Sequence, residues 1–200
     1  SPAEYIDAAV HLPAHTVSGE HFGNENHHCD AQAVLDTGRP HVYAGTDGTR
    51  HSSDIGYTGD DTGENISDKN WNFCELTGLY WAWKNLEADY IGIVHYRRYF
   101  ASRQNRFVSK KRRVIGHEEL NSILATTNVI LPRERHYYIE TNYTQYIHAH
   151  HKQDLEVTRS IIERKCPEYL PAYDMYMSKT HGHHFNMFIM KRELLGHYCF

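Results

Sequence analysis

The run His95-Tyr-Arg-Arg-Tyr-Phe100 leaves the end of a short apolar stretch, Asp89-Tyr-Ile-Gly-Ile-Val94. In open α/β sheets, ligands bind beyond the carboxyl ends of the strands. His95, Arg97 and Arg98 stand at such an end, and a guanidinium group makes planar, two-pronged hydrogen bonds to phosphate oxygens. From Arg97 to Arg113 there are eight basic residues (Arg97, Arg98, Arg103, Arg106, Lys110, Lys111, Arg112, Arg113) and no acid. In a chain of net charge −4, this concentration predicts a local anionic partner. A diphosphate, an anionic glycan and lipid headgroups all fit. For residues 103–113 a solvated loop is the equal alternative.

Three further constellations carry chemistry. The acidic loop Asp60-Asp61-Thr62-Gly63-Glu64-Asn65 could hold a hard divalent cation, magnesium or manganese, through carboxylate oxygens. It could equally cap turns, since Asp and Asn bond neighbouring backbone amides, and it lacks the spacing of an EF-hand loop. Histidines cluster twice as HxHH, at His148-Ala-His150-His151 and at His181-Gly-His183-His184. Imidazole suits zinc and iron, so a metal-dependent hydrolase is one reading. Hydrogen bonding to sugar hydroxyls or phosphate, or no role, is the other, and no HExxH occurs. The segment Tyr137-Tyr138-Ile-Glu140-Thr-Asn142-Tyr143 mixes aromatic faces with amide and carboxylate groups, a mixture that suits a sugar ring and its hydroxyls. No P-loop, GxSxG elbow or GxGxxG is present, which removes support for those nucleotide-binding and hydrolase classes.

The elements that must position these groups read as alternating helix and strand. Residues 1–53 read as loop-rich, with a short helix over 2–10. Residues 54–67 read as a turn-rich loop. A helix is expected over 72–86, with Asn72 and Glu75 as a capping box and Leu76, Leu79, Trp83 and Leu86 inward. Phe73, Tyr80 and Trp81 would widen its apolar face. A buried strand follows over 89–94, then a helix over 116–125 and a strand over 128–131. An amphipathic helix is expected over 154–165 (Leu155, Ile161, Ile162 inward), a short helix over 167–177, a strand over 185–190 and a last helix from Arg192. This alternation argues an α/β fold.

Composition bounds the rest. The 200 residues are 40% hydrophobic and 23% charged, enough for one ordinary domain with a buried core. The charge is too mild for a nucleic-acid coat, so no nucleic-acid partner is expected. No apolar run approaches a membrane span, and no signal peptide opens the chain. Cys29, Cys74, Cys166 and Cys199 form no CxxC pair, and reduced cytosolic cysteines are the simpler reading. The chain begins Ser1-Pro2 without Met and ends at Phe200 inside an apolar stretch, which predicts processing at one end and further residues at the other.

Several of these motifs occur together in one order. They are Asn65-Ile-Ser-Asp-Lys-Asn70, Cys74-Glu-Leu-Thr-Gly-Leu-Tyr-Trp-Ala-Trp-Lys84, Asp89 to Phe100, Tyr137-Tyr-Ile-Glu-Thr141, His148-Ala-His-His151 and Gly182-His-His-Phe-Asn-Met-Phe-Ile-Met190. In this the chain resembles the bacterial family of the domain of unknown function DUF4422, over residues 54–200, with 1–53 a poorly matched N-terminal segment. The resemblance implies a single GT-A-like nucleotide-sugar transferase domain, incomplete at both ends. It implies a glycosyltransferase of capsule, exopolysaccharide or O-antigen synthesis.

Such a fold commonly carries a metal-holding DxD after a strand. Here His95 and Arg97 fall where the acids would be. Fixed cations replacing the metal on the leaving diphosphate is the preferred reading, and a metal at Asp60 and Asp61 is the other. The resemblance extends the donor set to Asn65 and Lys69 beside Asp60, Asp61, His95, Arg97 and Arg98. It puts Tyr138, Asn142, His183 and Asn186 on the acceptor side. Glu140, His148 and His184 are the candidate catalytic bases. The expected donor is a UDP-sugar and the acceptor a glycan or lipid-linked glycan. The expected location is cytoplasmic, with peripheral contact at the inner membrane face. A metal-dependent hydrolase and a non-catalytic glycan- or nucleotide-binding module are the rivals.

Overall fold

The computed structural model describes residues 9–12, 14–16, 31–35, 40–44, 58–94, 98–103 and 114–199. The chain divides into two compact units, Ser1–Arg133 with Phe185–Phe200, and Glu134–His184. In chain order the strands are β1 (Ala9–Leu12), β2 (Ala14–Thr16), β3 (Ala31–Leu35), β4 (Pro40–Ala44), β5 (Tyr90–Val94), β6 (Arg98–Phe100), β7 (Val129–Pro132), β8 (Arg135–His136), β9 (His181–Gly182) and β10 (Phe188–Lys191). The helices are α1 (Asn70–Phe73), α2 (Leu76–Asn85), α3 (His117–Leu124), α4 (Asn142–Ala149), α5 (Lys152–Lys165), α6 (Leu170–Ser178) and α7 (Arg192–Cys199). The fold is mixed α/β.

The first unit is built on a six-stranded sheet in the order β1-β7-β10-β5-β3-β4. β1 runs parallel to β7, and β10 runs antiparallel to both β7 and β5. β3 runs antiparallel to β5 and β4. It follows that β5 and β7 point the same way. Their carboxyl ends and the start of β10 therefore share one edge of the sheet.

Side chains on neighbouring positions of a strand point to opposite faces. Ile91 and Ile93 of β5, with Phe188 of β10, join Leu79, Trp81 and Ala82 of α2 and Leu195 of α7 in one apolar cluster. Val94 and Ile189, the alternate positions, join Phe100, Ile130 and Met187 with Leu120 and Leu124 of α3 in the other. The sheet is thus covered on both sides, which is why β5 reads as an unbroken apolar run. Each fully buried Ile or Leu contributes about 1.5–3 kcal/mol through burial.

The second unit packs α4, α5 and α6 with the two-residue pair β8–β9. Thr141 caps α4, its hydroxyl accepting from the Thr144 amide at 3.0 Å while the Thr144 hydroxyl accepts from the Thr141 amide at 2.9 Å. Arg159 of α5 grips Asp174 of α6 through two hydrogen bonds of 2.8 Å. Leu155 is 7% exposed and anchors α5.

Four expectations change. Residues 9–44 hold four strands where a loop-rich segment was expected, and strand β1 covers the end of the expected 2–10 helix. The single helix over 72–86 is two, because Cys74 takes φ 46 and turns α1 away from α2. Asn72 lies inside α1 and makes no capping box, and Phe73, carried off with α1, is 46% exposed. Ile161 is 45% exposed, since α5 buries only Leu155. Among the described residues, no helix is long and apolar enough to cross a membrane.

Gly92 marks where β5 and β10 approach most closely. A Cβ there would lie 2.8 Å from Ile189 Cγ1 and 3.1 Å from the Phe188 carbonyl oxygen. Gly92→Ala is expected to destabilise the fold by about 1–3 kcal/mol, measured by urea denaturation. An unchanged midpoint would show that the sheet can open to admit a methyl group.

Candidate functional site

Val94 closes β5 at the edge it shares with β7 and the start of β10. His95 and Arg97 lie outside the described residues, as does 104–113 of the basic loop. Arg98 is described, and it opens β6. Its guanidinium carbon sits 4.0 Å from the centroid of the Phe185 ring, a cation–π contact that holds the group at this edge. Phe185 and Asn186 both take left-handed backbone angles, φ 79 and φ 51. Bulky residues rarely adopt them, and such strain collects at binding sites. The Asn186 amide donates to Glu75 Oε1 at 2.9 Å, which ties the start of β10 to the turn before α2. The edge therefore presents a stacked guanidinium beside an anchored amide.

The acidic loop lies along one stripe of α2. Thr77, Trp81 and Asn85 recur every four residues and each takes hold of it. The Thr77 hydroxyl donates to Asp60 Oδ2 at 2.6 Å, and Asp60 is 0% exposed. The Trp81 indole donates to the Thr62 carbonyl at 2.7 Å. The Asn85 amide donates to the Glu64 carbonyl at 2.8 Å and accepts from the Glu64 amide at 3.0 Å. Gly63 takes φ 56, and the Asn85 side chain occupies the space a Cβ would need. Lys84 pairs with Glu64 at 2.9 Å and holds its carboxyl below the ordinary carboxylate range.

Of the predicted donor residues, Asp60 is thus committed to the interior, and Asn65 caps the next turn through Ser67 (2.9 Å to its hydroxyl, 3.2 Å to its amide). These two brace the fold where donor contact was expected. Asp61 and Lys69 are exposed. The loop does not fit a divalent cation, because its most buried carboxylate already binds Thr77 and Glu64 binds Lys84. Among the described residues, no three His, Cys, Asp or Glu side chains converge to hold a metal.

In the second unit, Glu140 and His148 come together. His148 Nδ1 lies 2.8 Å from Glu140 Oε1, across the length of α4. With Nδ1 facing a carboxylate, the other ring nitrogen, Nε2, is the one able to take a proton. The remaining histidines of the two clusters have separate neighbours. His150 lies against Tyr146 (4.7 Å between ring centroids) and His181 stacks on His136 (5.3 Å). His183 Nε2 is 3.8 Å from Glu134, and His184 packs beside Tyr137 at 5.3 Å. Burial, then the Arg135 guanidinium and His183, hold the His184 imidazole below its ordinary 6.5.

Tyr138 is 86% exposed, at φ 63. Asn142, expected on the acceptor side, is instead 6% exposed. Its amide donates to the Tyr176 and His181 carbonyls at 2.8 and 3.0 Å, which braces α4 against α6 and β9. Thr77, Asn85, Glu75 and Phe185 escaped the sequence reading. The four-residue spacing of Thr77, Trp81 and Asn85 was a usable signal, whereas nothing local marks Phe185.

With this geometry in hand, the comparisons assign the chain. It belongs to the family described as domain of unknown function DUF4422, which it matches over residues 26–200, further toward the N-terminus than the motifs alone suggest. A solved structure, the apo form of the bifunctional glycosyltransferase WbbM, is similar at 31% identity with a TM-score of 0.61. The likeness covers 71% of this chain and 29% of that one, so the chain spans less than a third of that protein. No curated protein matches.

Two outcomes follow. Thr77→Val removes a hydrogen bond from a buried carboxylate and should cost about 1.5–3 kcal/mol, seen as a lowered melting point. An unchanged value would mean that Asp60 does not hold the loop to α2. The fold lowers the proton affinity of His184, mainly by burial, so below its ordinary value the unfolded chain binds the proton more readily. Its contribution to stability is therefore present above about pH 6.5 and lost as pH falls. His184→Gln should shrink the loss of melting temperature between about pH 8 and about pH 5. An identical loss in the variant would remove His184 from the acid response.

Proposed function

We propose that the chain is a glycosyltransferase with a GT-A-like fold, moving a sugar from a nucleoside diphosphate, UDP foremost, to a surface polysaccharide or lipid-linked glycan. The observation that carries this is the likeness to a glycosyltransferase structure at 31% identity and TM-score 0.61. The acceptor chemistry brings with it a cytoplasmic reaction at the inner membrane face, in capsule or exopolysaccharide synthesis. The basic segment 103–113 is the contact with that surface.

In this reading the acceptor hydroxyl attacks the anomeric carbon, and the bond from that carbon to the diphosphate oxygen breaks. The electron pair leaves with the diphosphate, and the hydroxyl proton goes to a base. Arg98 meets the charge that develops on the leaving group. A guanidinium held 4.0 Å from the Phe185 ring needs little reorganisation to do so, which is the source of electrostatic catalysis. Within the second unit taken by itself, His148 with Glu140 at its Nδ1 has the make-up of a general base, and it is our candidate for that role in an inverting transfer. No step is routed through a metal here, since Asp60 is engaged by Thr77 and Glu64 by Lys84 among the described residues.

The test is UDP binding by calorimetry, followed by release of UDP from UDP-sugars with short oligosaccharide acceptors. Arg98→Ala should weaken UDP binding about 10–100-fold, and Arg98→Lys should recover little, since an ammonium cannot make the fork. Binding of UDP with no transfer to any acceptor would leave a binding module. Unchanged affinity in Arg98→Ala would sink the assignment of Arg98 to the diphosphate.

A further inference from the structure

Trp71 is 93% exposed, while Trp81, ten residues on, is 6% exposed. Tryptophan is on average among the more buried residues, and a fully displayed indole marks a contact surface. Its backbone is held firmly. Trp71 sits on the single turn α1, which follows a 3-10 turn over Ser67–Lys69. The Asn70 amide donates to the Cys74 carbonyl at 3.0 Å and to the Thr77 hydroxyl at 2.9 Å. Thr77 in turn donates to the buried Asp60 at 2.6 Å. Cys74, at φ 46, ends the turn, and the next residue, Glu75, accepts from Asn186 at the sheet edge where Arg98 stacks on Phe185. A chain of hydrogen bonds thus runs from the interior to the base of an exposed indole, and Glu75, the residue after Cys74, is bonded to the edge that carries the donor-site arginine.

We infer that Trp71 is a stacking platform for a sugar ring of the glycan acceptor. This rests on the transferase reading above and names the acceptor contact for it. An indole face packs against the C–H face of a sugar ring and removes both from water. Exposed Asp68, Lys69 and Asn72 flank it, supplying carboxylate, ammonium and amide groups that can accept from and donate to hydroxyls.

The test uses the full chain, with hexose tri- and tetrasaccharides and UDP as separate calorimetric probes, and with transfer kinetics alongside. Trp71→Ala should raise the oligosaccharide Kd and the acceptor KM about tenfold or more. Its UDP Kd and melting point should match the wild type, and Trp71→Tyr should restore most of the loss. An unchanged oligosaccharide Kd in Trp71→Ala, or wild-type chain that binds none of the oligosaccharides, would overturn the inference. So would a fall in UDP affinity that matches or replaces the loss of sugar binding, which would assign the indole to the nucleobase. Oligosaccharide binding that depends on Trp71 in a chain that transfers nothing would leave the platform standing and overturn the transferase reading instead.

Discussion

A strand buried on both faces cannot carry chemistry, and that constraint organises the first unit. β5 sends Ile91 and Ile93 into one apolar cluster and Val94 into the other, while Gly92 lets β10 close against it. Any unpaired polar group along its length would cost more than its neighbours could return. Polar function is therefore pushed past Val94, to the edge where β5 ends and β10 begins. Arg98, Phe185 and Asn186 meet there, and the left-handed backbone at Phe185 and Asn186 is tolerable only because the buried Met187 and Phe188 behind it fix where the chain must go.

The same economy explains the acid-rich loop. Read as composition, Asp60 to Asn65 invites a cation. In the fold it is a strap across α2, with Thr77, Trp81 and Asn85 as successive fasteners. A carboxylate removed from water needs a donor, and Thr77 supplies it at 2.6 Å. The strap then has a second consequence. Thr77 also receives the Asn70 amide, so the position of α1 depends on the anchoring of Asp60, some ten residues upstream in the chain.

How much of this was legible depended on whether the signal was local. The apolar run of β5, the stripe of α2 and the boundaries of α3 and α5 are properties of consecutive residues, and they were readable within a residue or two. The strands over 9–44 were not. Each spans only three to five residues, and β1, β2 and β3 have partners far along the chain in β7, β6 and β5, while β4 pairs with its neighbour β3. Short strands stabilised by distant partners leave little trace in periodicity. The break at Cys74 was hidden for a different reason. A non-glycine residue at φ 46 is disfavoured by its own side chain and is held there by Asn70 and Glu75 on either side. The family motifs begin at residue 65, so they did not reach the strands over 9–44, and they did not mark the break at Cys74.

Histidine content misled in a related way. Two HxHH clusters suggest convergence, but nearness in sequence is not convergence in space. His148 is in the last turn of α4, His150 is the residue that ends it and His151 precedes α5, so successive rings leave a turning backbone in different directions. The partner His148 does find is Glu140, eight residues earlier. Thr141 makes this possible. By capping α4, it fixes the direction in which the preceding residue enters the helix. That leaves the Glu140 side chain free to run along the helix to the imidazole. A cap is ordinarily counted as a stabilising device. Here it also sets which ring nitrogen faces a carboxylate.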